Sequence, residues 1–98
     1  RPRGDVRVAS PRYFETLGIP VIAGRGFTAL DHKDALRVVV VNQAMVRYWE
    51  GSDPIGARLS TDGGDTWWTV VGVVGDVRQF GLDRAAVPQA FIPLAQMP

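Results

Sequence analysis

A chain of 98 residues without cysteine is sized for one modest core, and it excludes disulfides, thiolate metal sites and a cysteine nucleophile. Lys and Arg total 11 against 10 Asp and Glu, a formal net charge of +1, which argues against nucleic acid or an anionic membrane as partner. The longest apolar run, Val70 to Val74, is broken by Gly72 and falls far short of the roughly 20 residues that span a bilayer, so this stretch reads as soluble.

Arg1 in place of a methionine, with no signal peptide behind it, reads as the start of a piece excised from a longer protein. Asp5 to Ala9 alternates charged and apolar residues as a half-buried strand does. Ser10-Pro11 reads as an N-cap followed by proline at the first helical position, and Tyr13, Phe14 and Leu17 form an apolar stripe that Gly18 ends. Ile19 to Ala23 is strand-like, with Pro20 placing it at an edge or at its own start. Gly24 and Gly26 bracket Arg25 in a turn, and Thr28 with Asp31 resembles a capping box that predicts a single helical turn. His32 to Ala35 is a polar connection.

Val38 to Val41 is short, apolar and β-branched, which predicts a strand covered on both faces. Asn42 is placed to cap a helix over Gln43 to Trp49, with Gly51 at its left-handed end, and a cap of this kind is worth about 1 kcal/mol. Ile55, Ala57 and Leu59 share one face of a strand over Ile55 to Ser60. The Asp62-Gly63-Gly64-Asp65 turn then predicts a hairpin with a long strand over Thr66 to Val77. Gly72 and Gly75 inside that strand predict a bulge or a close backbone neighbour. Gln79 to Val87 reads as an irregular loop, and Ala90 to Leu94 as a last edge strand ended by Pro93. Together these elements predict an α+β fold, short helices on a mixed sheet with β-α-β character plus a hairpin.

Candidate chemistry is sparse. His32 lies among Asp31, Lys33 and Asp34, but one histidine and no cysteine do not make the usual zinc site, so no metal is expected. GVVGD at Gly72 to Asp76 lacks the spacing of a dinucleotide-binding turn, and the Asp62 to Asp65 cluster lacks the alternating ligands of a calcium loop. No cofactor is expected and no catalytic set assembles. Tyr48 and Trp49 fall near the buried side with Met45, without a basic groove for single strands. Trp67 and Trp68, adjacent in a strand, must face opposite ways, so one of them faces a partner, a second layer or solvent. Arg25, a long cation between glycines, is either an internal ion-pair anchor or an exposed contact.

The motifs in order, Ser10 to Phe14, Gly24-Arg25 with Phe27 and Asp31, the valine run into Asn42, Asp53-Pro54-Ile55-Gly56 and Val70 to Val73, resemble the MacB-like periplasmic core domain of ABC transporter permeases of the FtsX-like type. The resemblance covers nearly the whole chain. It implies a porter-subdomain-like fold and a single domain or subdomain, residues 1–98, of a larger inner-membrane permease, placed on its periplasmic side. It further implies a non-enzymatic role: contact with an exported substrate or an adaptor protein, and relay of motion driven by a separate ATPase. Arg25, Trp67 and Trp68 are the candidate partner contacts. The alternative is a free-standing domain that binds a small ligand or another protein.

Overall fold

The computed structural model describes residues 5–76 and 87–97. Its strands are β1 (Asp5–Ala9), β2 (Val21–Gly24), β3 (Val38–Asn42), β4 (Arg58–Ser60), β5 (Trp67–Val74) and β6 (Gln89–Pro93). They join in one mixed sheet in the order β1, β6, β3, β5, β2, with β4 pairing with β5 as well. The helices are short: α1 (Tyr13–Leu17), α2 (Gln43–Val46), and 3-10 turns at Arg47–Trp49 and Leu94–Gln96.

β3 is the centre, and all five of its residues are buried. It runs parallel to β5 and antiparallel to β6. Alternation sends Val38 and Val40 to one face, against Phe14, Phe27 and Phe91, and Val39 and Val41 to the other, against Met45, Trp68, Val70 and Ile92. Each buried valine side chain contributes on the order of 2 kcal/mol. That offsets the roughly 1–2 kcal/mol it costs to order one residue's backbone, and with side chains on both faces this strand organises two cores at once. α1 supplies Phe14 to the first core and α2 supplies Met45 to the second.

Gly18 ends α1 at φ 71°, and the amides of Gly18 and Ile19 bond back to the Glu15 and Phe14 carbonyls, a Schellman arrangement closed by apolar contact. The start of α1 differs from expectation: Ser10 to Arg12 form a turn closed by Tyr13 N–H to the Ser10 carbonyl, and no side chain caps the helix. β2 begins only after Pro20, whose carbonyl accepts the Gly75 amide, and it is an outer strand.

The helix expected over Gln43 to Trp49 tightens into a 3-10 turn from Arg47, and Glu50 at φ 42° ends it in the left-handed region ahead of Gly51. β4 is confined to Arg58–Ser60 because Pro54 to Ala57 bend: both the Gly56 and Ala57 amides are drawn out of regular pairing, one to Val70 O and one to Pro54 O. Ile55, Ala57 and Leu59 nevertheless pack on the same core, as their spacing predicts. The largest correction concerns the last strand. β6 lies inside the sheet between β1 and β3 rather than at an edge, and Ala90 to Pro93 are buried. Its unbroken Ala-Phe-Ile run is the signature of a strand covered on both faces. Residues 77–86, including most of the expected loop and the end of the expected long strand, lie outside the described residues.

Candidate functional site

Of the three candidate contacts, Arg25 is built into a loop. Gly24 and Gly72 permit this: a Cβ on Gly72 would collide with the Arg25 carbonyl, and one on Gly24 with the Val71 carbonyl, so the chain after β2 crosses tight against β5. The β3–β5 register slips at this point, leaving Val71 as a bulge. Beyond the crossing, Arg25 makes a bidentate pair with Asp31, Nη1 to Oδ2 at 2.9 Å and Nη2 to Oδ1 at 3.0 Å, and also donates to the Gly26 carbonyl at 2.8 Å. Asp31 is 5% exposed against 45% for the arginine side chain.

The Asp31 carboxylate also accepts the Thr28 amide at 2.9 Å, while Thr28 Oγ1 accepts Leu30 N–H. The reciprocal bonding of the expected capping box is therefore half present, but it closes a turn and no helix follows. The bond from Arg25 holds the Asp31 carboxyl below its usual range, helped by the Thr28 amide and opposed by burial, and Asp31 in turn raises Arg25. Arg25 is thus an ion-pair anchor.

The two tryptophans part as alternation requires. Trp68 is 4% exposed and lies in the α2 core, with the Arg37 guanidinium 5.9 Å from its ring centre. Trp67 is 46% exposed, with the Arg58 guanidinium 5.6 Å from its ring. The hairpin that carries Trp67 is held by Asp62, whose Oδ1 accepts the Asp65 and Thr66 amides and the Ser60 hydroxyl. These donors, the Thr66 amide first, pull the Asp62 carboxyl down to about 2. An oxygen saturated by N–H and O–H donors is a turn lock, the reading expected for this cluster over a calcium loop. Among the described residues no group of three His, Asp or Glu side chains is placed to hold a metal ion. His32 Nδ1 accepts the Asp34 amide.

A cleft of about 490 Å³ opens beside the hairpin, lined by Trp67, Trp49, Tyr48, Leu59 and Arg58 among others. Here the sequence reading holds for one residue of two: Trp49, half-buried, packs against the Met45 core, whereas Tyr48 is exposed, and both help to wall the cleft. Arg37 and Arg58 were missed altogether. Their only signal is register, since a strand neighbour's partner cannot be read before the pairing is known.

The model of the family described as MacB-like periplasmic core domain matches residues 2–98. The chain belongs to that family. It is a MacB-like periplasmic core domain of an ABC transporter permease, which puts it on the extracytoplasmic side of the inner membrane, and among the described residues no helix is long and apolar enough to cross one. Two solved structures share the fold. The periplasmic region of MacB from Actinobacillus actinomycetemcomitans superposes with a TM-score of 0.70 at 20% identity, covering 89% of this chain and 36% of that one. A domain of a protein described as a permease from Porphyromonas gingivalis gives 0.63 at 22% identity, covering 93% and 40%. This MacB-like domain therefore spans well under half the length of these structural relatives. No curated protein matches it in sequence. The resemblance expected from the motif order and the α+β fold are both borne out.

Proposed function

We propose that this periplasmic core domain is a non-catalytic domain or subdomain of a larger inner-membrane permease, that it contacts the exported substrate or an adaptor protein, and that it relays motion driven by an ATPase partner. The observation that carries the contact role is Trp67: a large aromatic ring held half in solvent by a locked hairpin, next to Tyr48 and Trp49 and under a guanidinium. Tryptophan, tyrosine and arginine are enriched among the few residues that carry most of the affinity of protein contacts. The doubly covered sheet behind it suits a body that must move without deforming.

The alternative of a small-ligand site finds some support in the cleft's size, which falls in the usual range for such sites. Its polar groups count against it. Ser60 Oγ is already spent on Asp62 and Gly64, so it offers no free group to converge with Arg58 on a small ligand.

In the parent permease, Trp67→Ala should lower transport several-fold while its amount in the membrane and the fold of this domain, read by circular dichroism, stay unchanged. A photo-crosslinker placed at position 67 should capture the substrate or adaptor. Unaltered transport by Trp67→Ala would sink the contact role.

A further inference from the structure

We propose that β4 is a receiving edge: an extended segment of a partner polypeptide adds to it as a further strand, setting an apolar side chain in the Trp67 cleft and an acidic one on Arg58. This deepens the contact role given to the cleft above and rests on it.

The register of the ladder leads to this. Val70 N–H donates to the Ala57 carbonyl at 2.8 Å, and Arg58, Leu59 and Ser60 face Thr69, Trp68 and Trp67 in the same register. Hydrogen-bonded pairs alternate along an antiparallel ladder, so Leu59 and Trp68 exchange bonds while Arg58 and Ser60 turn their N–H and C=O groups away from β5. The far side of β5 agrees, because Thr69 N–H, pointing away from β4, is taken by the Arg37 carbonyl. Among the described residues β4 pairs with β5 alone, and nothing meets the outward backbone groups of Arg58 and Ser60. An exposed row of donors and acceptors at this spacing is what an extended backbone satisfies and a folded surface or small molecule does not.

Two further features specify the guest. The cleft runs beside β4, between it and the turn bearing Tyr48 and Trp49, so a strand laid there would have an apolar slot for alternate side chains. Arg58 itself has no carboxylate partner among the described residues, unlike Arg25, whose fork is filled by Asp31. A guanidinium fixed over Trp67 with its fork unfilled favours a carboxylate on the incoming segment. The other outer strands lack this combination: β1 borders a cleft lined by Val6, Arg7, Val8 and the single ring of Tyr13, without the three-ring wall beside β4, and β2 borders neither cleft.

The test uses the chain itself and a fluorescein-labelled decapeptide of alternating threonine and valine with one central phenylalanine and two glutamates. Binding read by anisotropy should be saturable. N-methylation of one alternate set of its residues should weaken it by about tenfold or more, while methylation of the other set leaves it nearly unchanged, since only one edge of a strand enters a ladder. Amide exchange at Arg58 and Ser60 should slow on binding. Arg58→Pro, which deletes an outward N–H at an edge that tolerates proline, should weaken binding more than Arg58→Ala. Should Arg58→Pro fail to fold, the exchange and methylation readouts on the unaltered chain still decide.

No binding at concentrations on the order of millimolar, equal effects of the two methylation sets, protection at β1 or β2 instead, or self-association of the chain through β4 would each overturn the proposal. Failure of the peptide with loss of transport in Trp67→Ala would overturn strand addition and leave the contact role standing. Binding with unaltered transport would do the reverse.

Discussion

Asn42 shows how much one buried amide can hold. Its Oδ1 accepts Met45 N–H at 3.1 Å, the expected cap, and also Gln89 N–H at 2.9 Å, while Nδ2 donates to the Val87 carbonyl at 2.9 Å. The side chain therefore fastens α2 and the entry of β6 to the end of the central strand. Asn42→Ala would leave two amides and a carbonyl in need of partners, so the cost should be roughly 3 kcal/mol, well above the 1 kcal/mol of a cap alone. Asn42→Asp, which keeps the acceptor and loses the donor, should fall between. Urea unfolding of the two variants checks this, and a loss for Asn42→Ala near 1 kcal/mol would show that only the cap matters. Gln96 does similar service at the other end of β3, accepting Val38 N–H and donating to the carbonyls of His32 and Leu36.

Among elements, the crossing of the chain after β2 over β5 is the least forgiving. At Gly72 a methyl group would meet backbone rather than a movable side chain. Gly72→Ala should cost about 3 kcal/mol or more, whereas Gly26→Ala, where the nearest atom to an added Cβ is a Phe14 ring carbon at 3.7 Å, should change stability little. Thermal melts of both separate the two cases, and equal shifts would refute the close approach.

The close approach at Gly72 was legible in the sequence as a glycine inside a strand, though not which segment approaches, and the doubly covered valine strand, the Asn42 cap and the Gly18 stop were legible too. Each rests on residues within a few positions of one another. What escaped reading depends on partners far along the chain. The Asp76 carboxylate that meets Ala44 N–H at 2.8 Å, the inner position of β6 and the guanidiniums over the tryptophans are of this kind. The cleft escaped for the same reason, since its walls, Tyr48 and Trp49 on one side and Trp67 on the other, come from separate stretches of the chain.

At the scale of the molecule, acid is the lever. Asp31 and Asp62 both titrate below the ordinary carboxylate value of 3.8 in the folded chain. Their contribution is complete above that value and is lost as pH falls through the lower folded values, down to about 2 for Asp62. Stability should be level near neutrality and fall below about pH 4. Asp31→Asn should lower stability at neutral pH by about 1 kcal/mol, a figure reduced because Arg25 is half exposed, and should flatten the acid limb. Melting temperatures across this range measure both, and an acid limb of unchanged slope in Asp31→Asn would remove the ion pair from the account.

The pairing of β1 with β6, Asp5 beside Gln89 through Ala9 beside Pro93, sets an order in time. β2 likewise waits for β5, so neither strand of the amino-terminal third has a sheet partner within that third. A chain delivered from its amino terminus must hold these strands open until its last elements arrive, and closure over so long a loop is slow. During that interval Val6, Val8, Val21 and Ile22 are apolar side chains on unpaired backbone, the surface most open to capture by a chaperone or by another copy of the chain.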